Sequence, residues 1–197
     1  RSAMMNLQKL LSELDESTSE ELTHPQFQVK KDMFFKGELA EMPASNFDIT
    51  EGELLVKIDQ FAYTSNNITY AVAGDFLRYW QFFQPAGEGK DEYGVIPVWG
   101  FADVVESKVE GIPVGDRFFG YFPPASHLKM TPTRISDRQF IEGSAHRTEL
   151  PQGYNLYRRV KAEDGYNPAF DQAMELLYPL YLTSYSIVGS VEDEAYY

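Results

Sequence analysis

Val95-Ile96-Pro97-Val98-Trp99-Gly100-Phe101-Ala102-Asp103-Val104-Val105, followed after the turn Gly111 to Asp116 by Phe118-Phe119-Gly120-Tyr121-Phe122, is the stretch that decides the fold. It is apolar, rich in β-branched and aromatic residues, and broken by Pro97 and Gly100. That is the pattern of buried strands rather than of an amphipathic helix. Upstream, Leu54, Val56 and Ile58 point one way while Leu55, Lys57 and Asp59 point the other, a half-buried strand entered from the turn Glu51-Gly52. Gln26 to Lys30 alternates with the same period, and Met33-Phe34-Phe35 stays apolar up to Gly37. Downstream, His127 to Met130 is a further short strand, set off by Pro123-Pro124. Short strands with Gly and Pro punctuation predict a mostly β (α+β) fold, organised as a closed or partly closed (partly open) barrel.

The flanks read differently. Leu7, Leu10, Leu11 and Leu14 recur at helical spacing, which predicts a short amphipathic helix, and Ser17 to Glu21 reads as an acidic linker. Phe76 to Phe83 is dense in aromatics, and Ala86 to Tyr93 is a Gly- and charge-rich loop. Arg138 to Gly165 carries no clear period and reads as irregular. Phe170 to Val188 returns to helical character, with Phe170, Met174, Leu177 and Tyr181 near one face and Pro179 expected to kink it. The expected organisation is an N-terminal helix and linker over 1–25, a barrel over 26–165 and a helical segment over 166–197.

Composition narrows the function classes. Of 197 residues, 43% are hydrophobic, enough for a core. A net charge of −13 repels phosphate backbones and anionic membranes, so no nucleic acid is expected as a partner. No apolar run has the length of a transmembrane helix. The chain has no Cys, which removes disulfides and thiolate metal ligands. His24, His127 and His146 are scattered without ligand spacing and read as surface or structural residues. The start Arg1-Ser2-Ala3-Met4-Met5 fits either a cloning remnant or a mature organellar chain after removal of a targeting peptide. A cytoplasmic or organellar location is the corresponding expectation.

Taken in order, several segments resemble the catalytic half of medium-chain dehydrogenase/reductases. They are Leu54 to Ile58, Ser65 to Tyr70 with Gly74, Ile96 to Val105, Val114 to Tyr121 and Leu182-Thr183-Ser184-Tyr185. The resemblance is strongest to quinone oxidoreductases, in particular to an uncharacterised, mostly bacterial branch, and spans residues 26 to 190. It implies a GroES-like barrel. The zinc-dependent members place a Cys after the first strand and a Gly-His-Glu before the Val-Val strand. Here the second position reads Gly100-Phe101-Ala102 and no Cys exists, so the resemblance is to the zinc-independent members, with no metal site.

The same resemblance assigns candidate roles. Asn66, Asn67 and Tyr70 fall where quinone oxidoreductases line the nicotinamide and substrate pocket, and are the candidate catalytic residues. Ser65, Thr183 and Tyr185 are the candidate cofactor-binding residues, and Trp80 and Tyr121 the candidate walls of the substrate pocket. Asp116-Arg117 carries a structural role. Each has an equally simple structural reading: adjacent Asn residues cap helices, a buried Thr bonds its own helix, and Trp80 and Tyr121 fill a barrel core or plug.

The Rossmann half that carries the glycine-rich pyrophosphate turn is not expected in this chain, since Val191 to Tyr197 falls where its first strand begins. No cofactor is therefore expected on the chain alone, and NADP(H) only in a two-domain form. Two functions stay open. One is the substrate-side domain of an NAD(P)H-dependent quinone or enone reductase, partnered by a Rossmann half. The other is a non-catalytic accessory or architectural subunit of a larger complex, or a homo-oligomer. A stand-alone binder using the aromatic pocket is a third.

Overall fold

The computed structural model describes residues 22–181, apart from Glu88 and residues 162 and 163. The helix read over Leu7 to Leu14, and Thr183 and Tyr185, lie outside the described residues. The fold is mostly β. Among the described residues ten strands run in chain order: β1 Pro25–Lys30, β2 Met33–Glu41, β3 Leu54–Ala62, β4 Tyr93–Gly94, β5 Val98–Ser107, β6 Arg117–Phe122, β7 His127–Met130, β8 Pro132–Thr133, β9 Gln139–Glu142 and β10 Leu156–Arg159. Two α-helices join them, α1 Ser65–Val72 and α2 over residues 171–181.

Seven strands form one antiparallel sheet in the order β7-β3-β5-β6-β10-β9-β8. Its first and last members, β7 and β8, are separated in sequence by Thr131 alone. The sheet therefore begins and ends on one stretch of chain and curls into a nearly closed, barrel-like form. Thr131 itself bridges the seam. Its N–H donates to the Glu142 carboxylate at 3.1 Å, and its carbonyl accepts from Gly143 at 2.9 Å. A smaller sheet, β2-β1-β4, is tied to the barrel just after Pro123, through Phe27 N to Pro124 O at 2.8 Å and Ser126 N to Pro25 O at 2.9 Å.

Strand alternation divides the apolar side chains into two layers. Leu54, Val56 and Ile58 of β3, Val98, Ala102 and Val104 of β5, and Phe118 and Phe122 of β6 join Met130, Phe140 and Tyr157 in the core that the sheet encloses. Trp99 and Phe101 of β5, with Phe119 and Tyr121 of β6, form a second buried layer on the opposite face. That is why these two strands read as unbroken apolar runs: both faces are covered.

Two expectations are corrected here. The stretch 138–165, read as irregular, contains β9 and β10, which carry the sheet round from β6 to the seam. Each has only four residues, and each supplies one large core side chain, Phe140 or Tyr157. A four-residue strand with a single anchor leaves almost no period to detect. The final helix is also rotated relative to the expected face. Asp171, Met174, Glu175 and Tyr178 face the barrel, whereas Phe170 and Leu177 are 63% and 57% exposed. Within the described residues the helix continues past Pro179 to residue 181.

Candidate functional site

The site grows from the turn that follows β3. Thr64 is the N-cap of α1, its hydroxyl accepting from Asn66 N at 3.2 Å. Asn67, at the third helical position, completes a capping box by accepting from Thr64 N at 2.6 Å. Its amide then donates to the Pro97 carbonyl at 2.8 Å. Asn67 is buried and thus staples α1 to the entry of β5. Asn66 offers mainly its backbone, and Ser65 is exposed on the first turn. One turn after Asn67, Tyr70 falls on the same face and is buried against the outer layer of the sheet.

There the aromatic side chains converge. The Tyr70 ring lies 4.7 Å from Tyr79 and 5.7 Å, edge-on, from Tyr121. Trp99 and Tyr121 are cross-strand partners with centroids 5.0 Å apart. Tyr154 stacks at 4.7 Å from Tyr121, and its hydroxyl meets that of Tyr79 at 3.2 Å. Tyr178 of α2 covers Trp99 at 4.8 Å. The Trp99 indole N–H donates to the Tyr70 hydroxyl at 3.4 Å. The Tyr121 hydroxyl is buried and meets hydrogen-bond geometry with no partner among the described residues.

This shielded environment holds the phenols in their neutral form. Burial raises the Tyr70 hydroxyl above its ordinary value, with the Trp99 hydrogen bond pulling the other way. Burial also lifts Tyr121 well above the ordinary range, helped by the neighbouring Tyr70, Tyr154 and Tyr79. Tyr154 is raised by burial and by its bond to Tyr79. Several protonated O–H donors are therefore gathered in an apolar, aromatic box.

Of the residues singled out from sequence, Tyr70, Trp80 and Tyr121 share this one buried layer, and Asn67 anchors it. Trp80 is buried against Gly74 and Gly94, where any side chain would collide with the indole, so it fills the layer as packing. The layer lies on the outer face of the sheet rather than in the core that the sheet encloses. Trp99, Tyr79, Tyr154 and Tyr178 are not among the candidate site residues read from sequence. Trp99 had a usable signal, the two-residue period it shares with Phe101. Tyr154 had none, sitting in a 3-10 turn, Gln152–Asn155, between unrecognised strands.

An ionic clamp holds α2 over the box. Arg117 pairs across strands with Asp103 at 2.8 Å, with Asp59 at 2.7 Å, and with Asp171 at the start of α2 at 3.4 Å. Asp171 also accepts from Gln60 and Tyr166, each at 2.8 Å. Burial acts to lower Arg117, but hydrogen bonds to Asp59 and Asp103 outweigh it and hold the guanidinium above its ordinary value. One turn along α2, Glu175 is buried, and its Oε1 has no hydrogen-bond partner among the described residues. Burial, then the Asp171 charge, pushes its carboxyl up to about 7.

Among the described residues no set of three or more His, Asp or Glu is placed to hold a metal ion, and no helix is long and apolar enough to cross a membrane. The histidines are less scattered than their spacing suggests. His24 and His127 have ring centroids 5.6 Å apart, and His127 and His146 line one cavity.

Fold and site together define a mostly β protein whose barrel-like sheet carries a shielded layer of phenols on its outer face. A family model described as a protein of unknown function (DUF2855) matches residues 61–197, and the chain belongs to that family. The match starts at the end of β3 and takes in α1, the aromatic layer and α2. Comparison with curated proteins finds no match.

Proposed function

We propose that the chain is the substrate-side, GroES-like domain of a zinc-independent, NAD(P)H-dependent quinone or enone reductase-like protein. The observation that carries this reading is the meeting of Tyr70 and Tyr121 beside Trp99, with their hydroxyls protonated in an apolar layer. A quinone or enone is planar, and its carbonyl oxygen gains negative charge as hydride adds to the conjugated carbon. A neutral phenol in a water-poor site suits that oxygen, because its hydrogen bond strengthens as the charge develops. Tyr70 takes this role, Trp99 and Tyr79 pack beside it as the aromatic surroundings of its hydroxyl, and Asn67 acts as a positioning residue through Pro97.

A dinucleotide needs a glycine-rich turn opening a helix to receive its pyrophosphate. The described residues do not fit one. α1 is opened by Thr64, whose hydroxyl already takes an N–H of the first turn, and Ser65 beside it is exposed. The hydride source therefore lies outside the described residues. The test is NADPH-dependent reduction of 1,4-naphthoquinone by the longest natural polypeptide containing this chain. Tyr70→Phe is expected to lower kcat by on the order of 10–100-fold with the fold intact. Undiminished turnover in Tyr70→Phe and Asn67→Ala would discard the assignment.

The accessory-subunit reading is supported by α2. Its outward face presents Leu176 and Leu177, continued by Phe170 just before the helix, each about half exposed or more, while Asp171 and Glu175 are turned inward. A solvated helix normally has the opposite polarity, so this face suits an oligomer or partner. A shift from self-associated to monomeric in Leu177→Glu, read by light scattering, supports it. A wild-type chain already monomeric, with no partner retained from its native source, removes it.

A further inference from the structure

We infer that the cavity between β7, residues 42–47 and the turn carrying His146 and Arg147 is a binding site for a small aromatic carboxylate. It adjoins the phenol layer through Phe82 and Phe83, which pack on Tyr121, but none of Tyr70, Trp99 and Tyr121 lines it, and the inference does not rest on the reductase reading. The cavity measures about 180 Å³, and one of about 150 Å³ already admits a benzene ring. The size suits one ring and its carboxylate.

The chemistry of the wall points to an anion. Arg147 is only 2% exposed, yet every bond it makes goes to a neutral acceptor: Asn155 Oδ1 at 2.9 Å, the Tyr157 hydroxyl at 3.0 Å and the Tyr154 carbonyl at 3.0 Å. A guanidinium has five N–H donors, so two remain after these three bonds. Among the described residues no carboxylate pairs with it. A buried cation with no carboxylate bonded to it is costly, and in a chain of net charge −13 acids are abundant.

The rings of Phe82 and Phe83, at 5.3 and 5.2 Å from the guanidinium, offset part of that cost and supply flat apolar surface. His127, His146 and Lys129 line the same cavity. The acid beside them, Glu142, is committed to Thr131 N, Ser144 N and the Ser144 hydroxyl. Lys129 bonds the neutral Ser45 and Asp48 carbonyls and the His146 ring meets the Phe82 carbonyl, so the positive charge beside these aromatic walls comes from Arg147 and Lys129, neither of which is bonded to a carboxylate among the described residues.

The probe is benzoate, with benzyl alcohol as its neutral counterpart of similar shape, titrated into the whole chain by calorimetry and protein NMR. A Kd of roughly 0.1–1 mM is the scale expected for about nine heavy atoms. Benzyl alcohol should bind at least about tenfold more weakly. Arg147→Met risks the fold, so two milder variants carry the test. His127→Ala with Lys129→Met should weaken benzoate about tenfold or more, and Asn46→Trp, at the exposed lip, should block it while Tyr70→Phe leaves it unchanged. No saturable binding up to about 10 mM, equal binding of benzyl alcohol, or wild-type affinity in both variants would overturn the inference.

Discussion

The Trp99 indole on β5 and the Tyr70 hydroxyl on α1 are joined by a hydrogen bond of 3.4 Å, which couples the helix to the outer face of the barrel. The bond is long, and its contribution is correspondingly small beside the burial of the Tyr70 ring. Tyr70→Phe should cost about 0.5–1.5 kcal/mol of stability, whereas Tyr70→Ala should cost about 3–5 kcal/mol by opening a cavity. Urea denaturation of both variants separates the two contributions. Equal losses would mean that the hydroxyl, not the ring, holds α1.

Asn66 and Asn67 are adjacent in sequence and unequal in structure. Asn67 closes the capping box and holds Pro97, so Asn67→Ala should destabilise the chain by about 1–3 kcal/mol. Asn66 contributes a backbone N–H, so Asn66→Ala should stay within about 0.5 kcal/mol of wild type. Thermal melts of the pair check this ordering, and a reversed order would contradict the capping assignment.

Glu175 gives the fold a pH dependence of definite sign. Its folded value of about 7 lies above its ordinary 4.5, so the folded chain holds this proton more tightly than the unfolded one. The stabilising contribution is whole below about 4.5 and is lost as pH rises to and through 7. The facing groups are Asp171 on the same helix and Arg117 and Asp59 on the barrel. Glu175→Gln should therefore be more stable than wild type at pH 8, by on the order of 1–2 kcal/mol, with the difference vanishing near pH 5. Melts across that range test it, and a variant that loses stability at pH 8 would show that the carboxylate is needed.

Arg117 is the hub that docks α2. Arg117→Met leaves Asp103 and the buried Asp171 without their counter-charge, at a cost of about 3–5 kcal/mol concentrated at the helix. Amide exchange in α2 should accelerate far more than in β3 or β5. Uniform acceleration across the barrel would mean that the network supports the sheet and not the helix specifically.

The long, doubly covered strands were legible in sequence because aromatic and β-branched residues fill both faces of β5 and β6. β3 and β7 were legible because alternation and proline punctuation mark them. β9 and β10 were not, since each buries one large side chain, and the closure they complete depends on a seam at Thr131 that no local pattern announces. At the site, Tyr70 and Tyr121 were named from sequence and share one layer, but the side of the sheet they occupy depends on strand parity in the folded barrel. Tyr154, and the convergence of His24, His127 and His146, come from separations of many residues that only the topology brings together. The inward face of α2 was misread because hydrophobic period was followed, whereas Arg117 recruits Asp171, a charged residue, into the buried position.

The most direct measurement is Trp99 fluorescence during titration of the chain with 1,4-naphthoquinone, in a Trp80→Phe background so that one indole reports. If the phenol layer receives a planar carbonyl compound, quenching is saturable, and Tyr70→Phe weakens it by roughly tenfold. Quenching that is linear in quinone, or saturable but unchanged in Tyr70→Phe, would contradict the substrate-side reading.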